Sequence, residues 1–230
     1  MKKICIIPAR GGSKRIPRKN IKNFFGKPIL AYSIETAIKS HLFQDIVVST
    51  DDQEIANIAQ KFGASVPFFR SKETSNDYSP LKDVIEETIK KYEENNGPID
   101  IFCCLLATAP FVTVESLSDS YNLLINNNYE SIFSVKEFSS PIQRSLKINN
   151  GKISMVWPEY QYSRSQDLES RYHDAGQFYW MHRDIFINKL TLWTENTGSI
   201  VLPEIQVQDI DTEQDWLIAE FKYKFLNNLL

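Results

Sequence analysis

The chain has 230 residues, 42% of them hydrophobic and 24% charged, which suits one large α/β domain and excludes a disordered or fibrous chain. Lys plus Arg number 26 against 29 Asp plus Glu, a net charge of -3, so no overall field exists for holding nucleic acid or an anionic membrane. The longest apolar run, residues 101–112, is well short of the roughly 18 residues that suggest a membrane span.

Residues 1–8 carry two lysines and then a short apolar run before Arg10. They lack the extended apolar region of a secretory signal, so they read as a first strand and a cytoplasmic location is expected. Cys5, Cys103 and Cys104 lie inside apolar runs without metal-ligand spacing, the pattern of buried thiols in a reducing compartment. His41, His173 and His182 show no ligand spacing either.

Strand-like runs at 3–8, 46–50, 66–69, 100–106 and 131–135 alternate with amphipathic segments at 29–39, 53–62, 81–94 and 114–127. Pro28 and Pro80 suit the first helical position of two of these segments. Such β-α-β alternation predicts a mostly parallel sheet with helices on both faces. From 138 to 174 the rhythm breaks into polar and aromatic residues with a turn at Asn149, Asn150 and Gly151. That segment is expected to be a β-rich excursion suited to subunit contacts. The pattern resumes with strands at 177–182 and 199–202 and a last helix at 212–226.

The stretch after the first strand, Ile7 to Ile21, reads I-P-A-R-G-G-S-K-R-I-P-R-K-N-I. It leaves the carboxyl edge of the sheet, where open α/β folds place ligands. Gly11 and Gly12 permit a tight turn with backbone N–H groups close to an oxyanion, and Arg10, Lys14, Arg15, Arg18 and Lys19 supply five cations within ten residues. This is chemistry a triphosphate needs; the alternative is a solvated basic turn. Neither G-x-x-x-x-G-K-[ST] nor G-x-G-x-x-G occurs, so the two common phosphate loops are excluded. Near the other end, Asp209 and Asp211 alternate along an extended segment and project to one side. Paired carboxylates suit Mg²⁺, with phosphates and water completing the shell; the competing reading is capping of the last helix by Asp211 or Thr212.

The Ile7-to-Ile21 stretch resembles the N-terminal signature of the CMP-sialic acid synthetase family of cytidylyltransferases. The resemblance continues in order through Val48-Ser49-Thr50-Asp51, Arg70-Ser71-Lys72-Glu73, Leu105-Leu106-Ala107-Thr108-Ala109-Pro110 and Gln208-Asp209-Ile210-Asp211-Thr212. It implies a Rossmann-like three-layer nucleotidyltransferase fold in a single domain, 1–230, with the 138–174 excursion contributing dimerisation and sugar contacts. It implies CTP as the nucleotide, a nine-carbon keto sugar acid as acceptor, Mg²⁺ as cofactor and a homodimer. By the same resemblance Ala9 to Lys14 hold the triphosphate, with Arg10 and Lys14 as counter-charge. Lys19 stabilises charge at the α-phosphate, Asp209 and Asp211 bind the metal, and Asn20 and Arg70, near the 77–79 region, meet base and ribose.

On the acceptor side, Leu106 and Val112 stand where sialic acid enzymes show glutamine and arginine, which predicts a pocket for a more deoxygenated sugar. The segment Tyr172-His173-Asp174-Ala175-Gly176-Gln177-Phe178-Tyr179-Trp180 is similar to the Y-x-D-A-G-Q-F-Y-W signature of pseudaminic acid cytidylyltransferases. Thr108, Gln177 and Tyr179 are the expected sugar contacts, and Arg144 and Arg164 the expected partners of its carboxylate. Surface ion pairs for the arginines, a turn role for Thr108 and plain strand patterning for Tyr179 stay open. So do a legionaminic, sialic or keto-octulosonate acceptor and a non-catalytic nucleotide-binding module.

Overall fold

The computed structural model describes residues 1–229. In chain order the elements are β1 (Lys3–Pro8), β2 (Asn23–Phe24), β3 (Lys27–Pro28), α1 (Ile29–Ser40), β4 (Asp45–Ser49), α2 (Gln53–Lys61), α3 (Leu81–Asn96), β5 (Ile101–Leu105), α4 (Val114–Asn126), β6 (Ser131–Glu137), β7 (Leu146–Asn149), β8 (Lys152–Met155), β9 (Tyr172–His182), α5 (Arg183–Lys189), β10 (Thr197–Val201) and α6 (Glu213–Leu226). Six strands form the main sheet in the order β10-β6-β9-β5-β1-β4. Pairings β1/β4, β1/β5 and β10/β6 are parallel, while β9 runs antiparallel to both neighbours.

Both faces of this sheet are covered, which is why β5 reads as the unbroken apolar run Ile-Phe-Cys-Cys-Leu, buried at every position. On one face Cys5, Ile7 and Cys103 pack beneath Leu30 and Ile34 of α1, Ile55 and Ala59 of α2, and Leu117 and Leu124 of α4. On the other, Ile4, Ile6, Phe102 and Tyr179 pack against Ile85, Ile89 and Tyr92 of α3 and Phe186 of α5. The expected three layers are therefore present, and the cysteines are free and buried.

A third apolar cluster decides where the chain's two ends meet. Phe24, from the β2/β3 hairpin, makes edge contacts with Tyr32 of α1 and Trp216 of α6, each at 5.5 Å between ring centroids. Ile16 from the loop after β1 and Ile210 from the segment before α6 are buried in this same cluster. Burial of these two side chains draws the basic loop and the acidic segment together.

Some expectations need correction. No strand forms at 66–69: Ser65 makes one isolated bridge to Val47, and Pro67, lacking an N–H, cannot extend the ladder. Pro28 and Pro80 are the N-cap residues of α1 and α3, one position earlier than expected. The 138–174 excursion contains only one hairpin, β7/β8, together with 3-10 turns and the first residues of β9. Its turn is the one expected: Asn150 and Gly151 have φ of 49° and 75°, the paired positive values of a type I′ connection. Helix α5 and the β2/β3 hairpin had no clear sequence signal, being too short to establish a period.

Candidate active site

The loop after β1 is held in place before any ligand binds. Ala9 N–H donates to the Ser49 carbonyl at 2.9 Å, and Gly11 N–H to Asp51 Oδ1 at 2.9 Å. Arg18, left-handed at φ 55°, grips Asp52 through both terminal nitrogens, at 2.5 and 2.9 Å, and Glu54 at 2.6 Å. This packing explains Gly11: a Cβ there would stand 2.7 Å from Asp52 Oδ2 and 2.9 Å from Asp52 Cβ. Gly12 is different, since a Cβ would meet nothing within 4 Å.

Arg10, Ser13, Lys14, Arg15, Lys19 and Asn20 of this loop line one cavity together with Arg70, Ser79, Leu106, Ala107, Thr108 and Asp211. The cavity lies at the carboxyl ends of β1 and β5, with Pro8 closing β1 and Leu106 following β5 in its lining. Buried Asn20 ties the loop together by donating from Nδ2 to the Arg10 carbonyl at 2.9 Å. Lys19 Nζ donates to the Ile210 carbonyl at 2.5 Å and lies 3.6 Å from Asp211 Oδ1, which also receives Arg15 at 2.7 Å. Burial pulls the Lys19 ammonium below the ordinary lysine range, while Asp211 and Asp209 oppose that shift.

Arg70 is buried, so the surface ion pair with Glu73 considered for it is absent. Its guanidinium donates instead to the Ser49 hydroxyl and carbonyl. Burial brings its pKa down to about 10, against the pull of Asp51 and Glu87. Among the described residues Arg70 has no direct carboxylate partner, and it lines the cavity with other cations, an arrangement suited to an anion.

The acidic pair is not consumed by helix capping. Thr212 caps α6, accepting from Asp215 N–H at 3.2 Å, and Asp215 Oδ2 returns the bond to Thr212 N–H at 2.7 Å. Asp211 only adds a backbone N–H to that carboxylate, leaving its own side chain directed to Arg15 and Lys19. The Asp209 carboxyl is held above the usual carboxylate range, first by desolvation and then by Asp211. Two hard carboxylates two residues apart on one segment are a donor set that fits a divalent cation. Among the described residues no three or more His, Cys, Asp or Glu side chains are grouped to hold a metal alone, so the pair needs ligand oxygens to complete a shell.

Other expected contacts divide. Thr108 lines the cavity. Gln177 and Tyr179 are buried on β9, whose residue 177 carbonyl accepts from the cavity residue Leu106 at 2.9 Å. The Tyr179 hydroxyl donates to Asp174 Oδ2 at 2.8 Å. Arg144 and Arg164 are not brought to the cavity within this chain. Arg164 pairs with Asp167 at 2.7 Å, and Arg144 lines a separate recess beside Phe138 and Ser165. Both sit on the excursion, whose hairpin makes no ladder with the main sheet. Val112 is buried in the main core, so of the two apolar replacements only Leu106 bears on the pocket.

Sequence reasoning missed Asp77 as a charge partner: its carboxylate bridges Arg10 at 2.8 Å and Lys14 at 2.5 Å. It counted Arg15 only as one of the loop's five cations and did not foresee its pairing with Asp211. The density of cations in the loop was visible, but a carboxylate 63 residues from Lys14 carries no local signal of the pairing.

A family model described as Cytidylyltransferase matches residues 4–205. The chain belongs to the cytidylyltransferase family. Within it, the chain is 44% identical over 225 residues to a protein of Campylobacter jejuni named pseudaminic acid cytidylyltransferase, covering 97% of each. A Legionella pneumophila protein named CMP-N,N'-diacetyllegionaminic acid synthase is 32% identical, covering 96% of this chain and 95% of that one. Among solved structures, that of CMP:2-keto-3-deoxy-manno-octonic acid synthetase complexed with CTP shares the cytidylyltransferase fold. Its TM-score is 0.70 at 18% identity, with 99% of this chain and 100% of that one covered.

Proposed function

We propose that this cytidylyltransferase couples CTP to pseudaminic acid, giving CMP-pseudaminic acid and pyrophosphate. The observation that carries the reading is the convergence of Arg10, Lys14, Lys19, Arg70 and Asp211 on one cavity, in a chain 44% identical to proteins bearing that name. Leu106 in the cavity wall supports an acceptor poorer in hydroxyls than sialic acid.

In this reading Arg10, Lys14 and the Gly12 amide hold the leaving pyrophosphate, displacing the Asp77 carboxylate from the two cations. Lys19, held between the Ile210 carbonyl and Asp211, places its ammonium at the α-phosphate. The anomeric oxygen bonds to the α-phosphorus as the bond to the bridging oxygen breaks in line. The hydroxyl proton passes to water, and the electron pair of the broken bond leaves on pyrophosphate. Asp209 and Asp211 would hold Mg²⁺, which would supply charge neutralisation on the phosphates and a lower pKa for the acceptor hydroxyl.

A homodimer belongs to the same reading. Leu146 and Ile148 of β7 face Met155 and Ile153 of β8, so one side of the hairpin is apolar. Leu146, Ile148 and Ile153 are 56%, 68% and 65% exposed. An isolated two-stranded hairpin is marginal in water, so this face calls for cover. A second copy would also carry Arg144 and Arg164 toward a neighbour's sugar.

The test is pyrophosphate release from CTP and Mg²⁺ with a panel of keto sugar acids. Pseudaminic acid should give the highest kcat/KM. A preference for sialic acid would overturn the acceptor assignment, and no release with any acceptor would overturn the reaction.

A further inference from the structure

Gln177 presents an unsolved hydrogen-bonding problem. It is 1% exposed, and its Nε2 donates to the carbonyls of Ala175 at 2.9 Å and Gly176 at 3.1 Å, yet Oε1 has no partner among the described residues. Rotating the amide by half a turn is no remedy, because Oε1 would then face two carbonyl oxygens. The acceptor is fixed in direction and unmet, at a cost that buried polar groups rarely carry without a purpose.

Its location supplies the purpose. Leu105 pairs with Phe178 across β5 and β9, and the next pair is Leu106 with Gln177. Opposed residues of an antiparallel pair send side chains to one face, so Gln177, which does not itself line the cavity, stands beside Leu106, which does. The backbone is deformed to put it there. Phe133 of β6 pairs with Tyr179 and Val135 with Asp174, so Ala175, Gly176, Gln177 and Phe178 all face the single residue Ser134. Gly176 takes φ 60° within this bulge, and Asp174 Oδ1 receives its N–H at 2.8 Å. Bulges of this kind re-aim side chains next to active sites.

The neighbours cannot substitute. Leu106 offers no polar group, and Tyr179 already donates its hydroxyl to Asp174. Of the other two unmet buried atoms, Trp180 Nε1 lies in the core on the opposite sheet face, and Gln143 Oε1 lies in the 138–174 segment.

We propose that Gln177 is a specificity-determining residue whose Oε1 accepts a hydrogen bond from a hydroxyl or amide N–H of the keto sugar acid. The proposal rests on the cytidylyl-transfer reading and assigns the sugar side of that same cavity. Rejection of sugars lacking the matching donor follows, because they leave Oε1 unmet.

The test replaces Gln177 with methionine, of similar volume but without the acceptor, and with leucine in case methionine packs poorly. In Gln177→Met, kcat/KM for the sugar acid should fall on the order of 10- to 100-fold, while KM for CTP stays within about twofold. The melting temperature without ligand should not drop, and the thermal shift produced by the sugar acid alone should shrink. An unchanged kcat/KM for the sugar would overturn the proposal, as would equal losses for both substrates together with a lower melting temperature in both variants. Wild-type turnover on the acceptor panel decides the broader reading separately, since the Gln177 comparison uses whichever sugar acid the wild type accepts.

Discussion

The Lys19 ammonium lies 3.6 Å from Asp211 Oδ1, across 192 positions of sequence. That contact joins the basic loop after β1 to the acidic segment before α6, the two elements the proposed reaction needs around one polyphosphate. It is built on apolar burial, for Ile16 and Ile210 share the aromatic cluster of Phe24, Tyr32 and Trp216.

Replacing Lys19 with alanine should lower kcat by about 10²–10³ if its ammonium meets charge developing at the α-phosphate. Circular dichroism should stay close to wild type, because the apolar burial of Ile16 and Ile210 holds the two segments together. An unchanged kcat would remove Lys19 from the chemistry.

Asp209→Asn should separate stability from activity. The Asp209 pKa is raised by desolvation and by Asp211, so the folded protein favours its protonated form. Its ionisation therefore costs stability that is lost as pH rises from the ordinary carboxylate value through the raised one. At neutral pH the neutral asparagine should raise the metal-free melting temperature while abolishing Mg²⁺-dependent turnover. A lower melting temperature would contradict the strained pair.

Asp77 pairs with Arg10 and Lys14, so under the proposed function it would compete with phosphate for both cations. In Asp77→Asn the competitor loses its charge, and KM for CTP should fall by a few-fold, on the order of an exposed ion pair. Initial-rate kinetics at fixed ionic strength would check this; a rise in KM would show that Asp77 binds the nucleotide instead.

Glu87 anchors the loop that carries Arg70 and Asp77. It accepts from Ser71 N–H at 2.8 Å, from Lys91 at 2.6 Å and from the Thr74 hydroxyl. Burial alone would raise its pKa, but the bonds from Lys91, Thr74 and Ser71 prevail and bring it from 4.5 to about 2. The stability it contributes is therefore present above pH 4.5 and lost as pH falls toward 2. Thermal melts of wild type and Glu87→Gln should differ at pH 7 and converge across that interval. A constant difference would assign the effect to packing rather than charge.

Ile153→Asp places a carboxylate in the exposed apolar face of the β7/β8 hairpin. If that face joins two copies, size-exclusion chromatography with light scattering should report a dimer for wild type and the 26.6 kDa monomer for the variant. A wild-type monomer would set the dimer reading aside.

Much of the fold was legible because hydrophobic period is local. Strands β1, β4 and β5 and helices α1 to α4 fall within a few residues of their expected spans. The 66–69 strand failed at Pro67, where a missing N–H outweighs an apolar pattern. The loop's basic, glycine-containing character was also readable, since Gly11 and its cations are adjacent in sequence.

Sequence by itself determined the alternating α/β order, the basic glycine loop, the acidic pair and the motifs shared with cytidylyltransferases. Tertiary structure alone decided that Asp77 occupies the loop's cations, that Arg70 is buried against Ser49 instead of paired with Glu73, that Val112 belongs to the core, and that Gln177 retains an unmet acceptor. The physical reason is range. Backbone propensity and amphipathic period act over a few residues, whereas ion pairing, desolvation and hydrogen-bond satisfaction depend on which distant side chains the packed sheet brings within a few ångströms.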